Sequence, residues 1–375
     1  MIKRIVEKNI LEKLKTGKAI IILGPRQTGK TTLVKKVLDG LGDYCFLNCD
    51  NTSVKTQLEQ ANTQKLRQII GKHKIVFVDE AQRVKDIGLT LKLITDEMPE
   101  VQLFVSGSSS LELLSEISEP LTGRKWEYML FPISWQELTD HIGFLDAKMQ
   151  LENRLIFGMY PEVITNQGDE KDVLIQLTSS YLYKDLLEYK GIRKPDLIIK
   201  LLQALAFQVS SEVSFNELAN LLGVDKNTIY TYIDLLEKAF IIFRLYPFKR
   251  NLRNEISTSR KIYFYDNGIR NSLIANFNPI ALRQDKGALW ENFLISERMK
   301  YLNYNKIWTN KYFWRTHAQQ EIDYIEDKDG KLYTYEFKWN PKKTVKLPRS
   351  FSVAYPNSEY EIVNAENFDR FLLSQ

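Results

Sequence analysis

Cysteine and histidine are scarce in this chain, two of one and three of the other among 375 residues. So few soft ligands, scattered along the sequence, argue against a zinc centre. The cysteines, Cys45 and Cys49, lie in a run that reads as a strand, where they would share a face roughly 13 Å apart, too far for a disulfide. A reducing, cytoplasmic location is the expectation. Long apolar runs are missing too: nothing approaches the roughly 18 residues of a membrane span, and Met1 to Glu7 lack a signal-peptide core. Nor does charge of one sign dominate. A net +5 permits nucleic-acid contact without arguing for it. What remains is ordinary globular material, 44% apolar and 26% charged, enough for two or three domains.

One stretch organises the rest. Ala19 to Leu23 is a short β-branched run, the pattern of a buried strand. Gly24-Pro25-Arg26-Gln27-Thr28-Gly29-Lys30-Thr31 follows and fits the phosphate-loop pattern G-x-x-x-x-G-K-[ST] at every position. From Thr32 to Leu38 the sequence reads as a helix. Phosphate oxygens must be approached by a row of backbone N–H groups, and glycine allows that approach. Lys30 supplies a point charge to the outer phosphates, and the Thr31 hydroxyl can ligate magnesium.

About fifty residues on, Ile75-Val76-Phe77-Val78 runs into Asp79-Glu80-Ala81-Gln82. Acids at the carboxyl end of a buried parallel strand sit where such sheets place ligands. Asp79 would hold magnesium, and Glu80 would orient or deprotonate the attacking water. The next strand, Val101 to Val105, ends in Ser106-Gly107-Ser108-Ser109-Ser110. Ser106 or Ser108 could reach the γ-phosphate or the water, and the same serines could instead cap a helix over Leu111 to Leu114. Leu121-Thr122-Gly123-Arg124 offers an arginine finger, with an exposed structural arginine as the alternative.

These motifs occur in one order, followed by Leu130-Phe131-Pro132-Ile133-Ser134-Trp135-Gln136-Glu137-Leu138. Together they resemble the prokaryotic AAA-type ATPases that carry a C-terminal DUF4143 domain, over essentially the whole chain. The resemblance implies ATP as the nucleotide, with Mg2+, and a binding loop of Gly24, Pro25, Arg26, Gln27, Thr28, Gly29, Lys30, Thr31 and Thr32. It also implies Ser106 or Ser108 near the first sensor position, where many AAA ATPases have asparagine, and Arg124 as a trans-acting or sensing arginine. Gly158-Met159-Tyr160-Pro161 is similar to the family's Gly-Gly-aromatic-Pro segment, with Met159 in place of the second glycine.

Further on, Asp196 to Val209 reads as a helix after Pro195, Ser214 to Gly223 as a short capped helix, and Thr228 to Lys238 as a third. Phe240 to Leu245 and Lys261 to Tyr265 read as strands. That order is a winged helix. Lys226, Asn227, Thr228 and Tyr230 would then open the recognition helix toward DNA, with Lys249, Arg250 and Arg253 near the wing. A module that only packs helices or mediates assembly is the bland alternative.

In the last third, Leu289 to Met299 is helical. Glu321 to Ile325 and Leu332 to Trp339 form a hairpin around Asp327-Lys328-Asp329-Gly330. Asp323, Glu336 and Lys338, with Glu291 on the preceding helix, look like a PD-(D/E)XK nuclease core able to gather carboxylates around one magnesium ion. E-x-K in a hairpin is equally a cross-strand ion pair. The expected fold class is therefore α/β in three modules: 1–170, an AAA-type P-loop domain with a parallel sheet and a lid; 171–255, winged-helix-like; 256–375, a small PD-(D/E)XK-like domain. DUF4143 would span roughly 175–345. The leading function is Mg-dependent ATP hydrolysis coupled to DNA, with homo-oligomers compatible and no membrane role. The rivals are an ATP-gated nuclease and a nucleotide-switched regulator that docks a protein partner.

Overall fold

The computed structural model describes residues 1–14, 16–59, 61–107, 117, 119–179, 195–248, 260–316 and 318–373. They fall into two compact units, Met1–Ile133 with Lys238–Phe240, and Ser134–Glu237 with Ile241–Gln375. Among the described residues no helix is long and apolar enough to cross a membrane.

In the first unit, β1 (Ala19–Leu23), β2 (Cys45–Asn48), β3 (Ile75–Asp79), β4 (Gln102–Gly107) and β5 (Lys125–Met129) form one sheet in the order β2-β3-β4-β1-β5. Every pairing in it is parallel. The β1 residues Ala19, Ile20, Ile21 and Ile22 are fully buried, as a strand covered on both faces requires. Helices Lys30–Asp39 and Ile87–Glu97 each bury an apolar stripe. Between β2 and β3 lie two helices, Thr52–Leu58 and Thr63–Ile70, separated because the Asn62 side chain accepts the Lys65 N–H at 2.8 Å and starts a new helix.

The N-terminal stretch of the first unit runs to Ile133, and residues 134–170 fall in the second unit. The helix Trp135–Ile142 belongs to the second unit, where its first residue is anchored. The Trp135 N–H donates to Glu297 at 2.6 Å, and its ring meets Phe293 and Phe368 at 5.9 and 5.1 Å.

The second unit is built on one seven-stranded sheet: β6 (Glu212–Val213), β7 (Ile242–Pro247), β8 (Arg260–Phe264), β9 (Asn310–Arg315), β10 (Glu321–Lys328), β11 (Lys331–Phe337) and β12 (Glu359–Val363), in the order β12-β11-β10-β9-β7-β8-β6. Residues 171–255 and 256–375, read from sequence as separate modules, share it, because β7 pairs antiparallel with β8 and parallel with β9. Helices Pro195–Phe207, Phe215–Leu222 and Lys226–Lys238 precede β7. The long helix Lys286–Tyr304 precedes β9. The β10–β11 hairpin turns on Asp329 and Gly330, with φ of 52° and 78°, the left-handed pair that a two-residue turn needs.

Candidate nucleotide site and acidic cluster

The parallel sheet brings the carboxyl ends of β1, β3 and β4 side by side, with Ile22 opposite Ser106 and Val78 opposite Val105. Out of β1 the chain turns through Gly24, which is pressed against the segment that follows β5: a Cβ there would lie 2.2 Å from the Leu130 carbonyl oxygen. Gln27 and Gly29 are left-handed, φ 58° and 90°, which curls the loop before the helix begins at Lys30. Thr28 is fully buried, and its hydroxyl donates to the Pro25 carbonyl at 2.9 Å. Arg4, which the sequence reading passed over, donates to the Thr28 carbonyl at 2.7 Å and to the Phe131 carbonyl at 2.5 Å. A single arginine before the first helix thus ties the loop to the segment after β5. Its one signal in the sequence is an arginine beside Ile2 and Val6, two apolar residues that are also buried.

Lys30 is buried, and its ammonium donates to the carbonyls of Gly24 and Pro25 at 3.0 and 2.7 Å. Thr31 donates to both Asp79 oxygens, at 3.1 and 3.0 Å. Ser106, fully buried, also donates to Asp79. Its hydroxyl therefore holds the Asp79 carboxylate from the neighbouring strand rather than pointing freely at a ligand. Burial raises the Asp79 pKa, while the hydrogen bonds from Ser106 and Thr31 oppose the rise. Glu80 follows in a left-handed conformation, φ 52°, with one carboxylate oxygen accepting from Gln82 Nε2 at 2.6 Å. Non-glycine residues in that region cluster where function requires a set geometry. Pro25 is buried, Arg26 and Thr31 half-buried, Gln27 and Thr32 exposed. Cys49, free and buried beside Asp79, has its thiol pushed up to about 12 by burial, so it stays protonated and unreactive.

One expected member, Arg124, lies apart from these side chains. Arg124 lies at the amino edge of the sheet, where its carbonyl accepts the Ala19 N–H at 2.9 Å. Its guanidinium is paired with Asp96 at 2.5 Å. The length of β1, roughly 3.3 Å per residue over the strand, separates it from its own phosphate loop. Ser108 lies outside the described residues, as do Lys249, Arg250 and Arg253.

On the helix Lys226–Lys238, the residues Lys226 and Asn227 are exposed, and Tyr230 keeps half its surface open. Thr228 is otherwise engaged: its N–H and hydroxyl donate to Asp225 at 3.0 and 2.6 Å, capping the helix.

In the second unit, Asp323 lies one step beyond the Tyr324–Tyr335 cross-strand pair, which sets it opposite Glu336. Lys338 reaches Glu336 at 2.6 Å and Asp323 at 4.0 Å. The Phe337 N–H donates to Asp323 at 2.8 Å. Glu291 does not share those partners. It accepts from Tyr263 at 2.6 Å and from Lys261 at 3.0 Å, and Lys261 also reaches Glu321 at 2.6 Å. Lys261 and Tyr263 were legible only as strand residues, although their alternation places both on one face.

Burial pushes Glu291 up to about 7 and, with Asp323 adding repulsion, pushes Glu336 to about 7. Burial works against the Lys261 ammonium, but Glu291, Asp323 and Glu321 outweigh it and its pKa rises. A carboxyl with a raised pKa binds its proton more tightly folded than unfolded. Its stabilisation is complete below pH 4.5 and is lost as pH rises to about 7. Denaturant unfolding of the wild type should therefore lose roughly 1–3 kcal/mol from Glu336 between pH 4.5 and 7. Glu336→Gln should flatten that part of the slope. An unchanged slope in the variant would show that Glu336 titrates normally.

Family models match three stretches: an AAA domain over residues 16–139, a domain of unknown function (DUF8612) over 148–280, and another (DUF4143) over 286–371. The DUF4143 stretch thus lies further toward the C-terminus than 175–345. An uncharacterized protein of Mycobacterium tuberculosis is 27% identical over 329 residues, 85% of this chain and 70% of its own length. One from Methanocaldococcus jannaschii is 26% identical over 316 residues, 78% of this chain and 69% of its own. Among solved structures, the Walker-type ATPase of Pyrococcus abyssi is similar with a TM-score of 0.50 and 16% identity, covering 73% of this chain and 96% of that one. The likeness is one of fold. With the phosphate loop, the Asp79-Glu80 pair and these matches together, the chain carries an AAA domain over residues 16–139 and a C-terminal DUF4143 domain over residues 286–371.

Proposed function

We propose that this chain couples ATP hydrolysis at the loop Gly24 to Thr32 to binding of DNA through the helix Lys226–Lys238. The observation that carries the hydrolytic half is the constellation Thr31–Asp79–Ser106 with Glu80 beside it, at the carboxyl ends of adjacent parallel strands. The donor set, a hydroxyl and a carboxylate already in contact, suits Mg2+. Thr31 and Asp79 would hold the ion, which when bound offsets charge on the phosphates. Lys30 contributes a second positive charge from within the loop. The Gly24 to Thr31 backbone cradles the phosphates, and Arg4 keeps that cradle in shape. Ser106 and Thr31 orient the Asp79 carboxylate. Glu80, held by Gln82, takes the proton from the attacking water or orients it.

Support for the DNA half comes from the second unit. Helix, short strand, two helices and a strand pair is the order of a winged helix, and the exposed Lys226, Asn227 and Tyr230 open its last helix. Fluorescence anisotropy against duplex DNA over a salt series tests it. Binding should weaken steeply with salt, and replacing Lys226 with alanine should reduce the slope of log K against log salt by about one. Tyr230→Ala should cost roughly 1–3 kcal/mol if the ring stacks on bases. Salt-independent or undetectable binding to duplex, single-stranded and branched DNA would remove this half.

That result would favour the reading in which nucleotide controls docking of a protein partner. One observation supports it: Leu145 and Met149, on one short helix of the second unit, are 75% and 78% exposed.

A further inference from the structure

The resemblance to PD-(D/E)XK nucleases implies a divalent metal held by Asp323, Glu336 and Glu291. The side chains do not fit that ion. Magnesium demands oxygens converging on one point at about 2.0–2.1 Å. Among the described residues no group of three or more His, Cys, Asp or Glu side chains is arranged to hold a metal. The reason is visible in the contacts. Lys261, whose side chain is 1% exposed, sends its ammonium from β8 into the cluster and contacts Glu291 at 3.0 Å and Glu321 at 2.6 Å. Tyr263, from the same face of β8, donates to the same Glu291 oxygen at 2.6 Å. On the other side Lys338 takes Glu336, and the Phe337 N–H takes Asp323. All four carboxylates are thus turned toward donors supplied by the chain itself.

We propose that Lys261 is the resident cation of this acidic cluster, and that the C-terminal domain is a nuclease-like fold that neither binds a divalent metal nor cleaves DNA. An ion entering between Glu291 and Asp323 would have to displace a buried ammonium from its carboxylates and leave it unpaired in a dry interior, a strongly unfavourable exchange. A lysine is a suitable occupant because it offers three donors at one point, enough for two acids at once. The E-x-K spacing survives as a structural ion pair, and the cluster fastens β8, β10, β11 and the helix Lys286–Tyr304 together.

The test uses the full chain without nucleotide and Mn2+ alone as the probe, read by electron paramagnetic resonance and by melting. Wild type and Asp323→Asn should bind Mn2+ indistinguishably, with the same shift in Tm, because no site depends on Asp323. Lys261→Met should melt lower than wild type in EDTA. It should gain at least tenfold tighter, Asp323-dependent Mn2+ binding, with part of the lost Tm recovered on adding the ion. Mn2+ binding in the wild type that Asp323→Asn removes would overturn the proposal. So would Mn2+- or Mg2+-dependent DNA cleavage that Asp323→Asn or Lys338→Ala abolishes, or a folded Lys261→Met that takes up no Mn2+. Should Lys261→Met fail to fold, the wild-type and Asp323→Asn pair decides alone.

Discussion

Glu80→Gln should bind ATP as tightly as the wild type and turn it over roughly 10²- to 10⁴-fold more slowly, the loss expected when a group that handles the attacking water is removed. The amide keeps the shape of the side chain and leaves the backbone as it is, but it cannot take a proton. Its contact with Gln82 survives in kind, so the loop, Lys30 and Asp79 have no reason to move. Lys30→Ala should behave differently. It deletes a buried ammonium that contacts the carbonyls of Gly24 and Pro25, so both the loop and its hold on phosphate should suffer, and ATP affinity should fall together with rate. Fluorescent-nucleotide titration beside single-turnover hydrolysis separates the two. If affinity falls equally in both variants, Glu80 is a binding group and the role given to it is wrong.

The second large effect is steric. Gly24→Ala would place a methyl group 2.2 Å from the Leu130 carbonyl oxygen, at a φ of 151° that side chains rarely adopt. The obstacle is backbone, not the end of a flexible side chain. The Leu130 N–H is itself bonded to the Leu23 carbonyl at 2.7 Å, so β1 and the end of β5 must part for the methyl to fit. We expect a loss of roughly 3–5 kcal/mol and no measurable ATP binding. Gly29→Ala is the control. Its Cβ would meet nothing within 4 Å, and only the left-handed φ of 90° is unfavourable, so about 1–2 kcal/mol should be lost. Urea unfolding that ranks the two equally would mean that β5 yields easily, and that the close approach is not what demands glycine at position 24.

Sequence alone located the nucleotide site because its parts are local. Ala19–Leu23, the loop and the helix from Lys30 are contiguous, and β3 announces Asp79 by ending an apolar run in acids. Periodicity could not supply long-range partners. Arg4 joins Thr28 and Phe131 across 24 and 127 residues, and nothing near Arg4 encodes either distance. Ser106 was legible as a polar strand end, but its engagement with Asp79 depends on β4 lying next to β3. Arg124 was legible as an arginine following the sensor strand, but its separation from its own loop depends on β5 pairing with β1 at the edge of the sheet. In the second unit the E-x-K motif was plain, whereas Lys261, far upstream on another strand, was not. A cation that arrives from another strand changes the chemistry of a motif without altering a letter of it.

The seam between β7 and β9 is short: Tyr246 pairs with Tyr312, Pro247 with Phe313, and the Phe248 N–H reaches the Phe313 carbonyl at 2.6 Å. Pro247 has no N–H to give, and an aromatic cluster of Phe248, Tyr312, Phe351 and Tyr355 packs over the junction, with ring centroids 4.7 to 6.4 Å apart. The helix Lys226–Lys238 leads into β7, and β7 lies in the same seven-stranded sheet as β8, β10 and β11, so we expect a load taken by that helix to pass into the sheet as shear between paired strands. Melting of the helix and the sheet together is the result expected from that continuity.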